Sequence, residues 1–337
     1  MRALLYDAWE HLTMTDLDQP TAGEGEVLLK VAAVGICGSE LEAFRKRSPR
    51  RVPPLVLGHE FCGEVVAVGP SVSKLKVGDR VVSNSVIPCG DCGICRRGLG
   101  HACPNRRLFG MQLPGAMAEY VAVPERVTIP WHPELSAAQA AMAEPLGNGM
   151  HVAGLAGPTG PEKAVVFGAG PIGLMCMMAL RAVHGSEVVM VDTNPDRLVV
   201  AERLGAVKTL KPDQLDEIKA WTDGDGADVA VDAVGAQATK LGAVHAVRNG
   251  GAAIWIGLHA NEDPFPAYDL VLTEKRVLGS YATTQEELAG GLELVRQGKI
   301  DVSSWTSEFT LEQGVEAFHQ MLTPGSGDLK AVLIPGA

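Results

Sequence analysis

Basic residues are in the minority in this chain of 337 residues: 29 Lys plus Arg against 40 Asp plus Glu, a net charge of −11. That deficit argues against a nucleic-acid or anionic-membrane partner, because a phosphate-binding surface needs excess cation. Cysteine is scarce too. Seven residues are too few for a disulfide scaffold of this size, and four of them crowd between Cys89 and Cys103, a pattern of metal binding in a reducing compartment. No apolar run is long enough for a comfortable membrane span. The uncharged stretch from Ala164 to Leu180 is short and broken by Gly168, Gly170, Pro171 and Gly173. An acid at Asp7 interrupts the N-terminus before a signal-peptide apolar stretch forms, so a soluble, cytoplasmic protein is expected. Internal repeats and low-complexity tracts are absent.

What is present is apolar and rich in turn residues. Hydrophobic residues make up 46%, which excludes a disordered chain, and 39 Gly with 21 Pro exclude a simple helical bundle. The length allows two domains. The first third reads as short strands between turns: 27–34, 63–68 and 79–83. Their irregular spacing suits a partly open antiparallel barrel. Near residue 145 the pattern changes to strands alternating with helices, which predicts a doubly wound parallel α/β sheet. The expected division is 1–147 with 285–337 as a barrel domain and 148–284 as a nucleotide domain.

Gly168-Ala-Gly170-Pro171-Ile172-Gly173 follows an apolar strand and opens a helix, and Asp192 ends the next strand nineteen residues past Gly173. Gly168 allows a tight turn, Gly170 lets backbone approach a pyrophosphate, and Gly173 lets helix and strand pack closely. The helix N-terminus offers N–H groups and a positive dipole to the phosphates. Asp192 can accept from ribose hydroxyls and would repel a 2′-phosphate, so NAD is expected over NADP. Arg197 is a candidate contact to adenine or ribose. Val234, Ile256, Gly257 and Gly279 lie at strand ends, where backbone would line the nicotinamide half.

Cys89, Cys92, Cys95 and Cys103 supply four thiolates within fifteen positions, the spacing of a closed tetrahedral zinc site. Such a site stabilises and does not catalyse. Cys37-Gly-Ser39-Glu40 and Gly58-His59-Glu60 lie 22 positions apart, counted from Cys37 to His59.

In this order, with Glu144-Pro-Leu between the cysteines and the glycine fingerprint, these motifs resemble the zinc-containing medium-chain alcohol and polyol dehydrogenases over essentially the whole chain. The resemblance implies a GroES-like barrel for the N-terminal domain. It implies that Cys37 and His59 ligate a catalytic zinc, completed by Glu60, Glu144 or water. Glu144 stands where other alcohol dehydrogenases have a third ligand cysteine, a substitution similar to the sorbitol and threonine dehydrogenase branches. Ser39 matches the hydroxyl that takes the alcohol proton, and Glu40 the carboxylate that orients the ligating histidine. Glu42 stands where a relay histidine is common. Lys330 matches the basic residue that reaches the cofactor pyrophosphate. The implied partners are a small alcohol substrate and further copies of the chain, as a tetramer or dimer.

The implied reaction moves hydride from a secondary alcohol of a polyol, sugar or sugar derivative to NAD, giving a ketone. A threonine-type amino-alcohol is the alternative substrate, and a silent, zinc-stabilised NAD-binding protein the alternative of another class. Cys37, Ser39 and His59 argue against that silent form and against a zinc-free quinone reductase. Arg45 to Arg51 is the one basic cluster, either a solvated loop or a mouth for a phosphorylated or acidic substrate.

Overall fold

The computed structural model describes residues 1–158, 160–259, 267–323 and 329–336. The chain divides into two compact units. The first comprises Met1–Glu144, Ala282–Arg296 and Val302–Ala337; the second comprises Pro145–Tyr281 and Gln297–Asp301. The first boundary falls three residues earlier than the 147 of the sequence reading, and the return falls at Ala282 instead of 285.

Unit 1 is built on Glu26–Gly35, whose side chains are buried at seven of ten positions. A strand buried on both faces is a near-continuous apolar run, and Val27-Leu-Leu and Val31-Ala-Ala-Val supply it. Glu60–Val68 pairs with it antiparallel, placing Glu60 opposite Gly35. On its other side lie Tyr120–Pro124 and, towards its end, the C-terminal strand Lys330–Ile334. The tail thus completes the N-terminal sheet. Arg80–Ser83, Thr128–Pro130 and Thr306–Thr310 extend it to seven strands. One core fills this unit, from Leu4 and Tyr6 through Phe61 and Phe109 to Phe318 and Leu333.

Unit 2 is a six-stranded parallel sheet, ordered Lys208–Leu210, Glu187–Val191, Lys163–Phe167, Ala227–Asp232, Val247–Trp255, Arg276–Gly279. Chain order reverses direction between Lys163–Phe167 and Ala227–Asp232, the switch point at which doubly wound sheets bind ligands. Helix Pro171–His184 packs on the sheet through Leu174 to Leu180, all buried, and ends at Gly185 in the left-handed conformation.

Candidate active site

Within unit 1, a short helix and a strand bring the separated motifs together. Helix Gly38–Lys46 begins at Cys37, and strand Glu60–Val68 begins one residue after His59. Gly58 turns the chain into that strand at φ 101°, and a Cβ there would sit 2.8 Å from the Met117 backbone nitrogen. Only glycine fits both demands.

The ligand atoms of Cys37, His59 and Glu60 lie within 4.8 Å of one another. Glu40, fully buried, fixes the first two. Its Oε2 accepts from the Cys37 backbone N–H at 3.0 Å, and its Oε1 accepts from the Gly58 N–H at 2.8 Å and from His59 Nδ1 at 2.8 Å. A carboxylate only accepts, so the proton sits on Nδ1 and leaves Nε2 as the ligating nitrogen. Burial alone would push the Glu40 carboxyl up; His59, Arg51 and the Cys37 N–H outweigh it and hold the group at about 2. Burial would likewise push His59 down, but Glu40 and Cys37 raise it well above the usual range. A pocket that so favours positive charge, with a thiol, an imidazole and carboxylates as donors, suits a divalent cation of the zinc type.

Glu144 is buried beside this group. Burial raises its carboxyl, with Glu60 adding to the effect, against the opposing pull of His59, Ser85 and Lys330. Ser85 Oγ donates to its Oε1 at 2.6 Å. Lys330 is 2% exposed. Its ammonium donates to Glu60 and to the Ile36 carbonyl, the latter at 2.9 Å. The pyrophosphate role expected for Lys330 is therefore revised: its charge is engaged inside unit 1 by Glu60. Burial lowers its pKa, and Glu60 with Cys37 more than restores it.

The basic cluster does not form a continuous positive surface. Lys46 Nζ donates to Glu42 at 2.8 Å and Arg47 to Glu10 at 2.6 Å, while Arg51 is buried. Arg45 and Arg50 stay exposed, so of the Arg45 to Arg51 cluster it is Arg51 that turns inward. Glu42, the residue at the relay-histidine position, is exposed to solvent in part and paired with Lys46.

The four-cysteine loop satisfies a simple geometric test. Successive sulfur–sulfur distances are 3.5 Å for Cys92–Cys95, 3.8 Å for Cys95–Cys89, 3.5 Å for Cys89–Cys103 and 3.8 Å for Cys103–Cys92. A tetrahedron with Zn–S bonds of about 2.3 Å has edges of about 3.8 Å. Disulfides are excluded, since all seven cysteines are free.

In unit 2 the fingerprint takes the expected form. A Cβ on Gly173 would overlap the Gly168 carbonyl, and Gly168 itself has φ 99°. Asp192 accepts from Ala169 N–H at 2.7 Å and Asn194 N–H at 2.8 Å, so its carboxylate is held at the mouth of the glycine turn. An Arg197 nitrogen lies 3.9 Å from where a Gly170 Cβ would stand. Pro171 and Ile172 open the helix. Ile256 and Gly257 donate to the Asp232 carbonyl at 3.0 and 2.9 Å, and a Cβ on Gly257 would strike Val234 and Gly235. Gly279 ends its strand with open space where its side chain would be. All of these residues gather at the carboxyl ends of the parallel strands.

Comparison with known proteins follows this geometry. Residues 23–133 match the alcohol dehydrogenase GroES-like domain and residues 171–297 the zinc-binding dehydrogenase domain. The sorbitol dehydrogenase of Bacillus subtilis is 32% identical across 99% of this chain and 97% of its own. The chain belongs to the zinc-containing medium-chain alcohol and polyol dehydrogenases. It is an oxidoreductase of a family whose cofactors are zinc and a nicotinamide dinucleotide. An L-threonine 3-dehydrogenase of Saccharopolyspora erythraea is 34% identical over 91% of both chains. A D-arabitol-phosphate dehydrogenase of Enterococcus avium is 33% identical over 93% of this chain and 92% of its own. Among solved structures, the alcohol dehydrogenase of Thermus sp. ATN1 superposes with TM-score 0.92 at 29% identity, covering 99% of this chain and all of its own. An Escherichia coli CFT073 alcohol dehydrogenase complexed with NADH gives TM-score 0.92 at 26% identity, covering 99% of each chain.

Two features of this dehydrogenase had no legible signal in the sequence. Ser85 carries no motif that points to Glu144, and Arg51 stands in a run of surface-type cations although its side chain turns inward.

Proposed function

We propose that this dehydrogenase oxidises a secondary alcohol of a polyol, sugar or sugar derivative to the ketone, with NAD as acceptor. The observation that carries the reading is the Cys37–His59–Glu60 group, half-buried at Cys37 and buried at His59 and Glu60, backed by Glu40 and with the Ser39 hydroxyl 3.3 Å from Cys37 Sγ. Cys37 and His59 hold the catalytic zinc, and Glu60, Glu144 or water completes its shell. The bound cofactors supply Lewis acidity at the alcohol oxygen (zinc) and hydride acceptance (NAD). Ser39, exposed where Glu40 is buried, takes the alcohol proton in this reading. Asp192 receives the adenosine ribose. Relatives named for sorbitol and D-arabitol phosphate support the polyol class, and the low aromatic content agrees with a polar cleft.

A second reading, an L-threonine-type amino-alcohol substrate, is favoured by the Saccharopolyspora relative. The deciding experiment is NADH formation across polyols, polyol phosphates, aldonates and L-threonine, run in parallel with NADP. Turnover of a polyol, preferring NAD, is expected. Exclusive turnover of threonine would replace the first reading with the second. No turnover after zinc reconstitution would leave a silent NAD-binding protein. The same family reading makes the protein a cytoplasmic homo-oligomer, tetramer or dimer, which light scattering in solution checks.

A further inference from the structure

Five of the seven residues from Arg45 to Arg51 are basic, yet Arg51 is only 4% exposed. Its guanidinium forms a three-point fork. Nε donates to the Gly110 carbonyl at 2.9 Å, one terminal nitrogen to the Ser39 carbonyl at 3.1 Å, and the other to Ser39 Oγ at 3.1 Å. All three acceptors are neutral, and no carboxylate lies within ion-pair distance of Arg51 among the described residues. Its charge acts on the buried Glu40 carboxylate, yet none of its hydrogen bonds goes to that group; the fork is spent on Gly110 and Ser39. A loop prop needs only the two carbonyl contacts. The third contact is to a side-chain hydroxyl, and that hydroxyl stands beside Cys37.

A serine hydroxyl has one hydrogen and two lone pairs. The Ser39 hydrogen is turned to Cys37 Sγ, 3.3 Å away, and one lone pair receives the Arg51 N–H. A single lone pair is left, on a residue that is itself exposed. Lysine could not reproduce this arrangement. Its point charge lacks the planar fork that binds carbonyl and hydroxyl of one residue together.

We propose that Arg51 is the positioning residue for proton removal: it fixes the Ser39 hydroxyl with one lone pair open to the substrate alcohol. The inference rests on the reading of Ser39 given above. As the alcohol O–H bond breaks, its proton bonds to that lone pair. The hydrogen Ser39 already carries gives up its bond to Cys37 Sγ, turns to the solvent that Ser39 faces and passes to water, while the carbon-bound hydrogen and its electron pair go to the NAD acceptor. Ser39 ends as the neutral hydroxyl it began as. The fixed charge of Arg51 disfavours a lingering extra proton on Ser39 and so drives the transfer outward, a task that Glu42, paired with Lys46, does not share.

The test compares zinc-replete wild type, Arg51→Gln, Arg51→Lys, Ser39→Ala and the Ser39→Ala/Arg51→Gln double variant, with zinc content and melting temperature recorded for each. One readout is proton release, followed with an indicator dye, when the enzyme–NAD complex meets 2,2,2-trifluoroethanol, an alcohol that resists oxidation. The other is kcat and KM for the best polyol of the panel. Arg51→Gln is expected to lower the proton-release rate and kcat on the order of 10- to 100-fold, with KM for NAD unchanged. Arg51→Lys should recover part of the loss and keeps the test open if Arg51→Gln folds poorly. In the Ser39→Ala background the same substitution should cost less than about twofold, because the two residues act as one unit. Equal loss in both backgrounds would make Arg51 a loop prop and overturn the proposal, as would wild-type rates in Arg51→Gln. Wild-type rates in Ser39→Ala would instead overturn the Ser39 reading, and Arg51's role with it.

Discussion

The four-cysteine loop and the Cys37–His59–Glu60 group both gather metal donors, yet they are built in opposite ways. The loop draws its ligands from fifteen consecutive positions, and Cys89 is exposed while Cys92 and Cys95 are half-buried. Its four sulfurs stand at the spacing of a closed tetrahedron, so an ion held there would be the core of that lobe. The other group draws on a helix start and a strand start, with Glu40 holding Cys37 and His59 from behind and Lys330 holding Glu60. A lobe organised by its ion loses structure when a ligand goes; a site organised by the protein loses chemistry and keeps its shape.

Substitution on the two sides should break this symmetry. Cys37→Ser should lower kcat/KM by at least the 10²–10³-fold that removal of a single pre-organised charge-stabilising group costs. NADH binding, followed by fluorescence, and the melting temperature should stay near wild type. Cys95→Ser should do the reverse. A loss of about 3 kcal/mol, at about 2–4 °C per kcal/mol, lowers the melting temperature by about 10 °C. The specific activity of the molecules that remain folded should change little. If both variants lose activity only in step with unfolding, the contrast between the sites is false.

Glu40 sharpens the comparison, because it is the part of the open site that the closed one does not need. Its carboxylate serves three donors: the Cys37 and Gly58 N–H groups and His59 Nδ1. A glutamine has one accepting oxygen and turns an NH₂ on at least one of them. Glu40→Gln should therefore cost about 10- to 100-fold in metal affinity or activity. It should also change the acid limb of stability. The folded carboxyl sits at about 2 against an ordinary 4.5. A depressed pKa means its stabilisation is complete above 4.5 and is lost as pH falls towards 2, a contribution of about 3 kcal/mol. Denaturant melts should thus show wild type and variant far apart at neutral pH and converging below about pH 3. A constant gap at every pH would remove the charge from the explanation.

Legibility followed the same division. The gathering of the four cysteines was readable from spacing alone, as was the tight turn of Gly168 to Gly173 with Asp192 at its mouth, because local turn geometry dictates residue type at fixed offsets. The barrel and the parallel sheet were readable from strand periodicity. What spacing could not show was long-range pairing. Lys330 is 270 residues from Glu60, and its ammonium meets that carboxylate only because the C-terminal strand pairs with Glu26–Gly35. Arg51 was misjudged for a related reason. In sequence it is one of five neighbouring cations, and only the fold turns its side chain inward onto Ser39 and Gly110.

That dispersal leads to the smallest effect. Arg50 remains exposed, its backbone N–H donates to Ser48 Oγ, and it belongs to neither group of metal donors. Were the loop an anion-attracting mouth, Arg50→Glu would raise KM for polyol phosphates and leave neutral polyols unaffected, most clearly at low salt. Lys46 is met by Glu42 and Arg47 by Glu10, while Arg45 stays exposed beside Arg50, so removing one charge alters the field of the loop only in part. The expected outcome is a change of less than about twofold for both substrate types, in keeping with the small worth of exposed charges. A several-fold rise confined to the phosphates would restore the loop as a substrate determinant.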